Sequence, residues 1–388
     1  MRRANRSRVR SQLLDEPTTF WGKLHRPKNG ERMTWHPLAD HCADVASVVE
    51  ALLQLPIWRK RLIRLAGRDI SDVGWARLCV LAALHDIGKL NIGFQAKGRA
   101  GLGTSAGHVT EALGALFGHD VFSCLSELSA WGDGATGLLI ASICHHGRPY
   151  NSSMMADNWW EAGWWIPRAN LNPGAGAVDL FARCHSWFPR AFEEDGSSLP
   201  ETSNFSHAFA GLVMLADWMG SDTRFFEFSH EGDGDRIHFA RSKAVEAVSA
   251  MALDFPLGAR LDASDRDPFA RIAPDDYRSR AAQAAILTLP LNEQGSITVL
   301  EAETGSGKTE AALARFVSLF AAGLVDGLYF ALPTRSAATQ MHRRVHEAAQ
   351  RAFGIPPAVI LAVPGYLRVD DIDGTTETRA FRSTLAGS

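Results

Sequence analysis

Residues 75–89 read WARLCVLAALHDIGK, and this stretch decides the fold of the first half of the chain. Its apolar side chains recur at three- and four-residue spacing as far as Leu84, which is the period of one face of a helix. Gly88 is suited to a C-terminal helix cap, so the helix is predicted to end near His85 and Asp86. A buried helix end then presents an imidazole and a carboxylate side by side.

The same helical periodicity recurs from about residue 38 to residue 219, with glycine and proline marking the loops between segments. It predicts a mostly α-helical first domain. Several histidines and an aspartate interrupt or end these apolar runs, where burial without a partner is costly. A buried neutral histidine with a hydrogen-bond partner explains any one of them, but their number favours a metal site. The candidate ligands are His41, His85, Asp86, His108, His145, His146 and Asp217.

The donor types indicate which metals would bind. Imidazoles with two carboxylates suit first-row transition metals such as Fe, Mn, Co or Ni better than Mg²⁺ or Ca²⁺, which prefer oxygen ligands. The five cysteines have no CxxC spacing, so structural zinc is disfavoured and the cysteines are predicted to be reduced core residues. The sequence therefore favours a transition-metal site.

In their order along the chain, these residues resemble the HD superfamily in the double-histidine form of CRISPR-associated type I nucleases. The resemblance rests on His41, the motif HDIGK at residues 85–89, His108, the doublet at residues 145–146 and Asp217. It implies two divalent metals bridged by Asp86. It also implies that His41, His85 and Asp217 complete one coordination shell and that His108, His145 and His146 complete the other.

Such a centre explains how a phosphodiester bond is cut without a nucleophilic side chain. Two metals about 3.5 to 4 Å apart lower the pKa of a water and stabilise charge on the scissile phosphate. Lys89, one helical turn after His85, either binds a phosphate oxygen as a catalytic group or is a surface lysine. His36 precedes a proline, which favours an extended loop over a helix face, so His36 is left out of the ligand set. The alternative to this choice is that His36 takes the place of His41.

A tryptophan-rich segment follows the histidine doublet, with Trp159, Trp160, Trp164 and Trp165 close together. These side chains could provide stacking platforms for unpaired bases. We favour a lid over the helical core, because large aromatic side chains are usually buried.

The second half of the sequence changes character. Short apolar runs at residues 297–300 and 328–332 are each followed by a helical segment, which predicts two buried strands of an α/β unit with a parallel sheet. Between the halves, prolines, glycines and charges over residues 254–276 indicate a linker.

The first of these runs leads into a phosphate-binding loop, AETGSGKT at residues 302–309. In such loops the backbone N–H groups, including those of the glycines, bind phosphate oxygens. Lys308 is placed to bind the β and γ phosphates of a nucleotide, and Thr309 is placed to bind Mg²⁺. Ala302 stands where the general pattern has glycine, and the loop is similar to that of superfamily 2 helicases. That resemblance implies ATP and Mg²⁺ as cofactors, bound by Gln283, Thr304, Gly305, Ser306, Gly307, Lys308 and Thr309, and DNA contacts from Thr334, Arg335 and Gln340.

The chain stops before any Asp-Glu-x-His motif, so we expect it to hydrolyse ATP poorly on its own. The expected organisation is a frayed basic arm (residues 1–20), an HD-type nuclease domain (21–253), the linker (254–276) and a truncated first RecA-like lobe (277–388).

Charge and apolar content limit how the chain can contact nucleic acid and membranes. A net charge of −3 argues against a generally basic nucleic-acid coat, so DNA contacts must be local. No apolar run approaches the roughly 18 to 20 residues of a membrane span, and no signal peptide is recognised, so we expect a cytoplasmic chain away from membranes.

An HD nuclease ahead of a helicase resembles the effector nuclease of type I CRISPR interference. This implies single-stranded DNA as substrate and the guide-RNA surveillance complex as partner. One alternative is an HD phosphohydrolase of small nucleotides with a regulatory phosphate loop. Another is an inactive truncated chain that only docks on a partner.

Overall fold

A computed structural model gives the fold. It describes residues 19–25, 34–118, 120–147, 162–194, 197–229, 234–251, 253–254, 267–273, 277–293, 295–354, 357–363, 366–369 and 372–373. Contacts divide the chain into two units, Met1–Asp254 and Phe255–Ser388. Of the predicted basic arm, only Thr19 and Phe20 are described, and the Phe20 carbonyl already accepts a hydrogen bond from the Leu38 amide at 2.7 Å.

The first unit is mostly helical, as predicted. It opens with an antiparallel pair of strands, β1 (Trp21–His25) and β2 (Thr34–Pro37), and continues with helices and shorter 3₁₀ segments. The helices are α1 (Leu38–Gln54), α2 (Pro56–Ala66), α3 (Asp72–Ala83), α4 (Ile92–Gln95), α5 (Val109–Gly118), α6 (Gly134–Ile143), α7 (Pro173–Trp187), α8 (Ser203–Gly220) and α9 (Ile237–Ala250). The 3₁₀ segments are Ile87–Leu90, Asp120–Trp131, Ala162–Trp165 and Pro189–Phe192.

Helix α1 lies at the centre of this unit and is buried along most of its length. Helices α3, α8 and α9 pack against it, because each presents an apolar stripe to the shared core. Fully buried side chains such as Leu52, Phe205 and Phe209 each contribute roughly 1.5 to 3 kcal/mol of transfer free energy. This rigid core carries the side chains of the metal centre described below.

A buried polar network joins the start of this core to the segment before α9. The carboxylate of Asp44 accepts hydrogen bonds from His36 Nε2 at 2.9 Å and from Arg236 Nε at 2.9 Å. Arg236 also donates to the Glu227 carbonyl at 2.7 Å. Each buried charge therefore has a partner, as burial requires.

The second unit has a smaller core around α10 (Pro268–Ile272), α11 (Ala281–Leu287), α12 (Lys308–Ala321) and α13 (Arg335–Ala352). An antiparallel sheet follows, with β3 (Ile360–Val363), β4 (Tyr366–Val369) and β5 (Ile372–Asp373) in that order. Phe269 and Ile272 of α10 pack into this core, so that part of the predicted linker belongs to the second unit. Residues 255–266 and 274–276 of the linker lie outside the described residues.

The two predicted strands of the second unit are not strands in the structure. Residues 297–300 and 328–332 have no strand assignment, and Ile297 and Tyr329 are 97% and 92% exposed. A parallel strand is buried only when neighbouring strands pair with it and helices cover both faces. The described part of Phe255–Ser388 provides no such parallel neighbour for either run.

Within the described residues, the structure has no helix that combines the length and apolar character of a membrane span.

Candidate metal centre

Five elements of the first unit bring all seven predicted ligands together. His41 lies in the first turn of α1, and Asp217 lies near the end of α8. The others occupy helix boundaries, where the chain turns and side chains can point inward. His85 and Asp86 follow the end of α3, His108 precedes α5, and His145 and His146 follow α6.

The donor atoms form two groups. Within each group, every donor atom lies within 4.8 Å of the others. The first group contains His41, His85, Asp86 and Asp217, and the second contains His108, His145 and His146. His108 Nε2 and His146 Nε2 are 3.0 Å apart, so both rings face the same point.

The carboxylate of Asp86 faces both groups. Its Oδ2 lies 3.3 Å from His41 Nε2 and 3.3 Å from His85 Nε2. Its Oδ1 lies 3.3 Å from His108 Nε2 in the other group. Asp217 closes the first group, with Oδ1 at 3.1 Å from His41 Nε2. Asp86 therefore stands between two sets of donors with one oxygen directed at each.

Backbone hydrogen bonds fix the tautomers of two histidines. His85 Nδ1 donates to the Ala82 carbonyl at 2.8 Å, and His145 Nδ1 donates to the Ser142 carbonyl at 2.9 Å. In a neutral ring the remaining nitrogen then carries the lone pair that binds a metal. Both Nε2 atoms are buried and have no hydrogen-bond partner in the described part of the chain. Two buried ring nitrogens that carry lone pairs and have no hydrogen-bond partner fit the ligands of a bound metal ion.

Burial favours the neutral form of four of these histidines. Desolvation, with the nearby charge of Lys23, lowers the pKa of His41 to about 4. Desolvation is the main cause that lowers the pKa of His145 to about 3. Desolvation also lowers the pKa values of His108 and His146. Metal ligation needs the neutral ring, so burial favours the form of these four histidines that can bind a cation.

Two lysines hold the carboxylates in their charged form. Lys89 is buried, with Nζ at 2.5 Å from Asp86 Oδ2 and 3.1 Å from the Gly22 carbonyl to which it donates. The surface-lysine alternative is therefore wrong. Burial alone would raise the pKa of Asp86, but the charge of Lys89 is the largest effect that opposes burial, and the pKa of Asp86 is held well below its usual range.

Sequence reasoning missed the second lysine. Lys23 of β1 places Nζ at 3.1 Å from Asp217 Oδ1. Burial opposes the charged form of Asp217, but Lys23 and His41 outweigh it and hold the pKa of Asp217 well below its usual range. A lone lysine in a short polar segment carries no signal for this role. Its position depends on the packing of β1 against α1.

Gly88 has a different role from the one predicted. It lies within the 3₁₀ segment Ile87–Leu90 rather than at the end of α3. A Cβ at this position would lie 1.9 Å from the His108 carbonyl oxygen, so only glycine permits this approach. Asn91, also missed, donates from Nδ2 to the carbonyls of Gly88 at 2.7 Å and Gly107 at 2.9 Å. Together they join the His-Asp turn to the segment that carries His108.

The structure places His41, rather than His36, among the donors. His36 Nδ1 accepts a hydrogen bond from the Ser229 amide at 3.2 Å, so its Nε2 carries the proton donated to Asp44. Its ring is stacked on Phe228, with centroids 5.2 Å apart. His36 is thus a histidine satisfied by hydrogen bonds in the core.

Part of the tryptophan-rich segment can be assigned. Trp165 is 2% exposed and packs edge to face on Phe122, with ring centroids 5.1 Å apart. Trp164 is partly buried against the core. Both therefore serve packing, which agrees with the lid interpretation. Trp159 and Trp160 lie outside the described residues.

In the second unit, the predicted phosphate loop leads directly into α12. Gly305 and Gly307 have φ of 79° and 86°, the left-handed conformation that favours glycine. Lys308 Nζ donates to the carbonyls of Ala302 and, at 3.0 Å, Glu303. The Gln283 carboxamide donates to the Gly307 carbonyl at 3.1 Å, so this predicted nucleotide-binding residue lies at the loop. Ser306 and Thr309 are partly buried, and Thr304 is exposed.

The predicted DNA-binding residues lie at the start of α13. Thr334 is the N-cap, and its hydroxyl accepts from the Ala337 amide at 3.3 Å. Arg335 and Gln340 are exposed. Thr334 thus has a structural role, while the other two are free of the core.

A helical unit with a buried histidine and aspartate centre defines an HD-type metal domain, and comparison with known proteins agrees. The family described as Cas3, HD domain, matches residues 21–226. The chain belongs to this family.

Known relatives extend the similarity through most of the chain. The CRISPR-associated endonuclease/helicase Cas3 of Thermus thermophilus is 29% identical over 364 residues, 86% of this chain and 36% of that protein. The crystal structure of T. fusca Cas3-AMPPNP is 25% identical with a TM-score of 0.58, covering 88% of this chain and 38% of that one. A chain of a CRISPR RNA-guided surveillance complex, pre-nicking, is 25% identical with a TM-score of 0.52, covering 86% and 38%. This chain spans well under half the length of each.

Proposed function

We propose that the first unit is a divalent-metal-dependent nuclease that cuts single-stranded DNA in type I CRISPR defence. Membership of the Cas3 HD domain family supports this, as does the description of the Thermus thermophilus relative as an endonuclease and helicase. The observation that carries the proposal is the carboxylate of Asp86, whose two oxygens each face a separate group of donors.

The seven donors suit a pair of transition metals of the Fe, Mn, Co or Ni type. His41, His85 and Asp217 would hold one metal, His108, His145 and His146 would hold the other, and Asp86 would bridge them. When bound, such a pair supplies an activated water and stabilises the charge that develops on the scissile phosphate.

The protein's own residues preorganise this centre. The Ala82 and Ser142 carbonyls orient the rings of His85 and His145 before any metal arrives. Lys89 acts through Asp86, because its ammonium restrains that carboxylate and is tied to the Gly22 carbonyl. Preorganised donors need not rearrange during the reaction, which is where much of the rate enhancement of enzymes arises.

Single-stranded DNA is the proposed substrate because a recessed metal centre admits a flexible backbone more readily than a duplex. The proposed partner is a type I guide-RNA surveillance complex. This is supported by the similarity to a chain found in a CRISPR RNA-guided surveillance complex.

We further propose that residues 21–253 form the nuclease domain, that residues 254–276 include the linker, and that residues 277–388 belong to the first RecA-like lobe of a helicase. Its phosphate loop would bind ATP and Mg²⁺ through Lys308 and Thr309, with Gln283 beside the loop. The left-handed glycines and the helix that begins at Lys308 support nucleotide binding, since such loops cradle phosphates with backbone N–H groups.

The test is cleavage of circular single-stranded DNA by protein loaded anaerobically with Fe²⁺, Mn²⁺, Co²⁺ or Ni²⁺. We expect the circles to be opened and then degraded, and the His85→Ala protein to leave them intact. Intact circles beside a hydrolysed pool of small nucleotides would instead support a nucleotide phosphohydrolase. Intact circles with less than one metal per chain would support a docking fragment.

A further inference from the structure

The metal centre has one lysine for each carboxylate. Lys89 pairs with Asp86, and Lys23 pairs with Asp217. The two lysines therefore already balance the two carboxylates before any cation binds. The charge that bound metals would add is then left to be balanced by other anions, of which the phosphodiester is one.

The two lysines differ in access to solvent. The Lys89 side chain is 6% exposed and also donates to the Gly22 carbonyl, so it is enclosed by protein. The Lys23 side chain is 28% exposed, although its Nζ lies 3.1 Å from Asp217 Oδ1. Lys23 is therefore the less enclosed of the two lysines, and part of its side chain reaches solvent.

The backbone of Lys23 is held firmly. Lys23 is paired with His36 across the β1–β2 ladder. On its N-terminal side, a Cβ at Gly22 would lie 3.0 Å from Leu38 Cα and 3.3 Å from His41 Cβ, so the strand lies directly on α1. Trp21 is fixed to Gln95, since the Trp21 amide donates to Gln95 Oε1 at 3.1 Å. The strand that carries Lys23 is thus fixed on the core, and its side chain reaches the metal centre from there.

We propose that Lys23 is a substrate-binding residue that contacts a non-bridging phosphate oxygen of the DNA strand at the metal centre. This rests on the proposed nuclease function. When a metal binds Asp217, the carboxylate shares its charge with that metal and attracts Lys23 less. The ammonium would then be free to pair with another anion, such as a phosphate of the strand.

The test compares Lys23→Gln with Lys23→Arg and with a control, Lys243→Gln. Lys243 lies on α9 and is paired with Glu246. Its side chain is 32% exposed, close to that of Lys23, so its replacement makes the same change in net charge at a similarly exposed position away from the centre. Binding of a phosphorothioate oligothymidine to metal-loaded protein is measured at several salt concentrations, together with metal content per chain. For single strands, each lost phosphate contact reduces the slope of log affinity against log salt by about 0.7.

We expect Lys23→Gln to bind about ten-fold more weakly, with the slope reduced by about 0.7 and the metal content unchanged. Lys23→Arg should keep the slope, and Lys243→Gln should match the unaltered protein. An unchanged slope in Lys23→Gln, with or without lost metal, would overturn the assignment while leaving the nuclease proposal intact. If the unaltered protein neither binds nor cuts single strands, both proposals fall.

Discussion

The two units of the chain carry two kinds of site. The candidate metal centre of Met1–Asp254 draws its donors from five elements between His41 and Asp217, and all of them meet on one core. The phosphate loop of Phe255–Ser388 is contiguous, and its left-handed glycines and following helix form locally. The apolar runs that flank it stay exposed, with Ile297 at 97%.

This difference shows what each site needs. A contiguous loop needs only its own backbone and the next helix. A dispersed centre needs a complete core to hold its elements in register, so the intact geometry of the donors shows that the first unit packs as a whole. Changes in the first unit should therefore act on both metal groups, while changes in the phosphate loop should act on nucleotide binding.

The largest effect is expected at Asp86, because its two carboxylate oxygens lie 3.3 Å from donors of the two groups. Asp86→Asn keeps the shape but removes the charge, so we expect cleavage of single-stranded DNA to fall at least about a thousand-fold. The matched control is Asp179→Asn, an exposed carboxylate of α7 paired with Arg183. Rates of cutting under single-turnover conditions give the comparison, and a loss of less than about ten-fold would mean that Asp86 is not the bridge.

Stability of the metal-free first unit should depend on pH through its neutral histidines. The folded-state pKa of His41 is lowered from 6.5 to about 4 and that of His145 to about 3, so the unfolded chain binds more protons between these values. Their contribution to stability is present above pH 6.5 and is lost as the pH falls toward 4. For His41 the loss is on the order of 3 kcal/mol.

Urea unfolding of chelator-treated protein at pH 7.0, 5.5 and 4.5 measures this loss. The His41→Gln protein should show a shallower dependence, since its side chain does not titrate. A free energy of unfolding that stays flat from pH 7.0 to 4.5 would contradict the assignment of buried neutral rings.

In the second unit, Lys308→Ala should weaken ATP binding about ten- to a hundred-fold, since a hydrogen-bonded charge contributes roughly 1.5 to 3 kcal/mol. Lys308→Arg keeps the charge and should lose less. Titration calorimetry with ATP and Mg²⁺ measures the effect. Equal affinities for the unaltered and Lys308→Ala proteins would show that the loop does not bind phosphates.

The smallest effects concern two glycines of the first unit. Gly88→Ala forces a methyl group against the His108 carbonyl, so we expect a loss of about 1 to 3 kcal/mol from the free energy of unfolding. Gly137→Ala on α6 meets nothing within 4 Å and should stabilise the helix by about 0.5 to 1 kcal/mol. Chemical denaturation measures the free energy of unfolding of both variants, and we expect it to fall in Gly88→Ala and to rise in Gly137→Ala. Equal changes in the two variants would contradict the close approach at Gly88.

Much of the first unit could be predicted because helical periodicity and ligand chemistry are local signals. The apolar spacing predicted α1, α3 and α8, and the polar residues that interrupt or end such apolar runs marked the candidate donors. Their division into two groups came from the family resemblance. Lys23 and Asn91 were missed, because their contacts arise from the packing of β1 on α1 and from a turn, neither of which leaves a periodic pattern. Gly88 was noticed, but its role depends on a neighbour distant in sequence.

The second unit shows the opposite limit. Residues 297–300 and 328–332 have the composition of buried strands. An apolar composition favours burial, but it does not identify the segments that would pack against the strand. The neighbours of a parallel strand come from distant parts of a chain. Apolar runs alone therefore could not predict that Ile297 and Tyr329 are exposed in this structure.

Metal content per chain tests the central claim most directly. After anaerobic loading and removal of free ions, elemental analysis should find about two transition metals in the unaltered protein, as expected for a two-metal site. His146→Ala, which removes one donor of the second group, should lower the content to about one. Asp86→Asn, which removes the shared donor, should lower it further. About one metal in the unaltered protein, with no change in His146→Ala, would contradict a bridged pair.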